Sequence, residues 1–104
     1  AALWAGLADG TIDAVVTDHH PLDAEVKNLE FDLAAFGIIG LETAFAALHT
    51  QNGTQKEKLT LDKIVSLLAE NPRRILGLPS VRIAEGEPAN LTLFNPETEW
   101  TFAE

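Results

Sequence analysis

Residues Thr11 to Leu22 read TIDAVVTDHHPL, an apolar, β-branched run that breaks off into a polar cluster. Ile12, Ala14, Val15 and Val16 leave almost no polar position inside the run, which predicts a strand covered on both faces, as in a parallel α/β sheet. Before it, AALWAGLADG reads as the last turns of a helix that closes at Gly10. After it come Asp18, His19, His20 and Pro21, at the strand's C-terminal end, where parallel α/β architectures gather their catalytic groups. A carboxylate and two imidazoles there could bind a metal or move protons. Equally, Asp18 could cap a turn before Pro21 while the histidines are solvated or packed. Adjacent side chains diverge, so at most one of His19 and His20 faces a common site.

Downstream, Leu22 to Phe36 reads as a long loop with one helical turn near Ala24–Asn28, and loops of this length are more often functional than not. Gly37-Ile38-Ile39-Gly40 forms a hinge into a helix over Leu41–Thr50, with Leu41, Phe45 and Leu48 on one face, closed by Asn52-Gly53. Thr60 is placed to cap a helix over Leu61–Glu70 whose Ile64, Leu67 and Leu68 face inward. Pro72 suits the first turn of a further short helix, Pro72 to Leu76, ended by Gly77. Beyond Ser80 the texture changes to short strand candidates, Val81–Ala84, Asn90–Phe94 and Glu99–Phe102. The expected organisation is therefore residues 1–79 as the end of a parallel barrel and residues 80–104 as strands of a small β-sandwich.

With 104 residues and 46% hydrophobic content, the chain is of single-domain size. Sixteen acidic against 7 basic residues give a net charge of −9, which argues against nucleic acid or an anionic membrane surface as partner. Absence of cysteine excludes disulfides and thiolate metal sites, and a reducing cytosol fits. No stretch approaches the roughly 18–20 apolar residues of a membrane span, and the opening residues lack the pattern of a signal peptide. The missing methionine and the abrupt helical start suggest a piece of a longer protein.

Four stretches together resemble dihydroorotase, of the amidohydrolase superfamily. IDAVVTDHHPL with Lys27 is similar to the signature in which a strand ends in Asp-x-Ala-Pro-His followed by Lys. AAFGIIGLETAF, Ala34 to Phe45, resembles the second landmark, Ala-Pro-x-Gly-Ile-x-Gly-Leu-Glu-Thr. ENPRRILGL, Glu70 to Leu78, resembles the Asn-Pro-Ala-Arg-x-Leu-Gly-Leu helix, and VRIAEGEPANLTLFNP resembles the returning strands of the β-domain. The resemblance implies the C-terminal part of a (β/α)8 hydrolase that interconverts carbamoyl-aspartate and dihydroorotate in pyrimidine synthesis. It makes Asp18 both a zinc-site residue and the catalytic general base and acid, with Phe36 and Gly37 contacting the small-molecule substrate.

Departures from the pattern qualify what it implies. The family's alanine is His20 here, and its substrate-holding histidine is Leu22, which has no hydrogen-bonding group. His20 is the candidate to fill that role. Because a whole barrel takes roughly 250 residues, these residues alone are expected to retain neither Zn2+ nor turnover. The alternatives are a non-catalytic dihydroorotase-like structural partner and an allantoinase or hydantoinase. A lone strand with open edges also predicts self-association.

Overall fold

A computed structural model describes residues 2–103. Helix α1 spans Ala2–Asp9 and ends where Gly10 takes a φ of +87°, as the sequence predicts. A single helical turn, α2, covers Ala24–Lys27, and α3 covers Ala44–Gly53. Leu41 falls outside α3 and is exposed, while Phe45 and Leu48 pack on the core.

The two helices expected around Pro72 form one continuous rod, α4 at Leu61–Val65, a π-helical stretch at Ser66–Glu70, and α5 at Asn71–Ile75. Thr60 starts it, its hydroxyl accepting the Lys63 N–H at 3.2 Å. Pro72 explains the π stretch. Proline has no N–H to offer the Leu68 carbonyl, and its ring crowds that carbonyl in α geometry. Widening the turn sends the Asn71 N–H five residues back to the Ser66 carbonyl. The Leu67 carbonyl instead accepts the Val15 N–H at 3.0 Å, and Asn71 Nδ2 donates to the Asp13 carbonyl at 2.8 Å.

Those bonds dock residues 12–15 on the rod, and Ile12 N–H adds a bond to the Gly6 carbonyl at 2.8 Å. The core is small. Leu7, Leu59, Ile64 and Leu67 are buried, with Trp4, Ala8, Ile12, Val15, Phe45, Leu48 and Leu68 against them. Asn52 closes the turn between α3 and α4: its Nδ2 donates to the Leu59 carbonyl at 2.9 Å and its Oδ1 accepts the Leu59 N–H at 2.8 Å.

The strand expectations need correction. Among the described residues there is no sheet, only one parallel bridge between His19 and Ile38. Thr11–Thr17 is irregular, beginning in a bend at Thr11–Ile12; its backbone bonds go to helices, and Val16 is 78% exposed rather than covered on both faces. A strand is defined by its ladder, and these residues offer it no second extended run to pair with. Val81–Ala84, Asn90–Phe94 and Glu99–Phe102 are likewise irregular and largely exposed. The radius of gyration, 16.6 Å, against about 13 Å for a compact chain of this length, reflects that extended tail. It touches the helical part where Phe94 meets Phe45, ring centroids 4.4 Å apart.

Candidate active site

The segment that docks on the helices leads into Asp18, where the backbone changes direction. Asp18 has φ +48°, the left-handed region that L-residues avoid and that aspartate tolerates better than most. The Thr17 hydroxyl accepts the His19 N–H at 3.3 Å across it. The Asp18 side chain is left exposed, free to meet another molecule.

The hinge Gly37–Gly40 lies alongside this turn. His20 N–H donates to the Ile38 carbonyl at 3.0 Å, and Gly40 N–H donates to His19 Nδ1 at 3.0 Å. Two glycines allow the approach. A Cβ on Gly40 would come within 3.2 Å of Thr17 Cβ. At Gly37, with φ +143°, a Cβ would sit 2.8 Å from the His20 carbonyl oxygen, 3.1 Å from His20 Cδ2 and 3.2 Å from Leu22 Cδ1. Gly37, His20 and Leu22 are thus brought together beside Asp18, and Phe36 projects into solvent at 95% exposure.

A side chain that sequence reading treated only as part of a motif proves central. Lys27 Nζ donates to the Gly37 carbonyl at 2.7 Å and to the Ala35 carbonyl at 3.0 Å. The signal was its place in the motif; its loop partners lie eight and ten residues on. His19 lines a cleft of about 360 Å³ with Ile39, Gly40, Leu41, Glu42, Thr43 and Phe102. His49 is elsewhere, stacked on Phe45 at 5.6 Å.

The metal expectation meets a plain limit. Among the described residues no three of His, Cys, Asp or Glu come together as a ligand set. His19 Nδ1 is occupied by the Gly40 N–H, so in the neutral ring the proton is on Nε2 and no lone pair remains for a metal. Asp18 is exposed and able to supply a ligand, but without a third ligating group near it these described residues by themselves do not fit a metal centre.

The chain is 47% identical over 103 residues to the dihydroorotase of Chlorobaculum tepidum, covering 99% of this chain and 23% of the relative. It is 50% identical over 101 residues to that of Brevibacillus brevis, with 97% and 24% coverage. With that of Caldicellulosiruptor saccharolyticus the identity is 46% over 103 residues, with 99% and 24% coverage. The chain therefore spans about a quarter of the length of the curated relatives it matches. No solved structure gives a significant match. The model of the amidohydrolase family matches residues 1–104, Asp18 turn, hinge and Pro72 rod included, and the chain belongs to that family.

Proposed function

We propose that this chain forms the part of a dihydroorotase that carries the proton-transferring carboxylate, Asp18, and the loop that meets the substrate. The observation that carries the reading is the juxtaposition of the Asp18 turn with Gly37 and His20, in a chain 46–50% identical to dihydroorotases along nearly its whole length. The substrate would be the carbamoyl-aspartate and dihydroorotate pair of pyrimidine synthesis, in the cytoplasm.

In the hydrolytic direction a water oxygen bonds to the ring carbonyl carbon and the ring C–N bond breaks. Asp18 takes the proton the water loses and hands it to the departing nitrogen, so it ends the cycle ionised. The Phe36–Gly37 main chain and the His20 imidazole orient the substrate. Family membership implies a metal cofactor. We take it to be zinc, which would polarise the scissile carbonyl and make the attacking water more acidic, with Asp18 the ligand the family pattern assigns among these residues. The parent fold would be a (β/α)8 barrel, residues 1–79 belonging to its closing unit and 80–104 to a small β-domain.

In the full-length protein, Asp18→Asn keeps the side chain's shape and removes its basicity. Cyclisation of carbamoyl-aspartate should lose about 10²–10⁴ in kcat; activity close to wild type would refute the assignment. The 104 residues assayed alone with added zinc should show no turnover. Exposed apolar groups such as Val16, Phe36 and Leu93, at 78%, 95% and 100%, support self-association of the isolated chain, and a monomer by light scattering at high concentration would refute that.

One observation favours a second reading, a non-catalytic structural partner. Leu22 stands against Gly37 where the dihydroorotase pattern has a hydrogen-bonding histidine. Failure of the zinc-loaded full-length protein to cyclise carbamoyl-aspartate would favour it. Turnover of hydantoins instead would point to an allantoinase or hydantoinase.

A further inference from the structure

Among the described residues, Lys27 is the cation whose side chain is hydrogen-bonded to the Ala35–Gly37 loop. Asp23 precedes it by four residues, the spacing of a helical ion pair, yet among the described residues the only ion pair is Arg82–Glu87 at 3.4 Å. Its ammonium instead donates to the carbonyls of Ala35 and Gly37, at 3.0 and 2.7 Å. Ala35 N–H returns a bond to the Val26 carbonyl of the same helical turn at 3.0 Å. The Ala35–Phe36 and Gly37–Ile38 peptide groups, on either side of the Phe36–Gly37 peptide, are thereby held from α2, while Gly37 rests on the His20 carbonyl and the Ile38 carbonyl accepts the His20 N–H. Charge-assisted bonds to carbonyls are the stronger kind, and together with the Ala35 N–H bond they tie the loop to α2 at three points.

We propose that Lys27 is a positioning residue of the reaction, pinning the Ala35 and Gly37 carbonyls so that the Phe36–Gly37 main chain is presented beside Asp18 before substrate arrives. This rests on the dihydroorotase reading above. Lys27 itself contacts no substrate. It raises the fraction of molecules whose loop is ready to bind, and apparent affinity scales with that fraction.

The test is Lys27→Met in the full-length protein, with Lys27→Arg beside it. If the loop is released, KM for carbamoyl-aspartate rises about tenfold while kcat stays within about twofold, because saturating substrate pulls the loop back into place. A merely structural lysine would lower the active fraction, and so kcat, with KM unchanged; that pattern overturns the proposal. Lys27→Arg, which keeps a donor fork, should recover most of the affinity. Hydrogen exchange separates this from the reaction itself. Lys27→Met should accelerate exchange at the His20 and Ala35 amides even if the wild-type protein turns over no carbamoyl-aspartate. In that case the reaction assignment fails and the exchange result alone decides: unchanged protection at both amides overturns the positioning role.

Discussion

Gly37→Ala offers the sharpest trial of the site geometry. The backbone there has φ +143°, and the new Cβ would lie 2.8 Å from the His20 carbonyl oxygen, a contact that real Cβ atoms essentially never make. His20 Cδ2 and Leu22 Cδ1, at 3.1 and 3.2 Å, can rotate away, but the carbonyl belongs to the main chain and cannot move without the segment after Asp18. Holding alanine in this region costs about 1–3 kcal/mol. Relieving the clash by parting the segments sacrifices the His20 N–H to Ile38 bond, about 1 kcal/mol more. The local opening equilibrium should thus shift by about 2–4 kcal/mol, which is roughly 30-fold to several-hundred-fold in the exchange rate of the His20 amide. Gly53→Ala is the control: it ends α3 with nothing within 4 Å of its Cβ position, and alanine there should be neutral or stabilise by about 0.5–1 kcal/mol. If the His20 amide in the Gly37→Ala protein keeps its protection to within about twofold, the hinge does not pack on the Asp18–His20 segment as these distances require.

Other expectations concern the scaffold. Asn52→Ala strips both partners from the buried Leu59 N–H and carbonyl and should cost about 2–4 kcal/mol, read from the urea midpoint at constant slope. Ile64→Ala, at a fully buried position, should cost about 2–5 kcal/mol by the same measurement. Asp9 titrates below the ordinary carboxylate range because the Thr11 N–H, then the Thr11 hydroxyl, then the Lys63 charge favour its ionised form. With the folded value depressed, its stabilising effect is present above about pH 4 and disappears as pH falls through the lowered value. Following the Thr11 amide by NMR during acidification checks this, and a midpoint at or above that of an unstructured aspartate would contradict it.

The separation between what was readable and what was not follows the range of the interactions. The end of α1 at Gly10, the Thr60 cap, the turn at Ala24–Lys27 and the inward face of Ile64, Leu67 and Leu68 all depend on neighbours within a turn or two. A linear pattern records such things. Strand pairing is not local: Thr11–Thr17 and the three runs after Ser80 have strand composition, but composition cannot supply the second backbone that a ladder requires.

From its residues alone this protein could be assigned its cap and turn positions, its apolar helix faces, the family its motifs resemble, and Asp18 as the residue to watch. Tertiary structure decided the rest: that Pro72 widens one continuous rod instead of separating two helices, that the Leu67 carbonyl thereby receives Val15, and that Asp18 adopts a left-handed turn. It also decided that Lys27 serves the loop ahead of it and not the aspartate behind it. Each of these depends on groups distant in sequence or on the local path of the backbone, and only the positions of those groups in space determine which arrangement is reached.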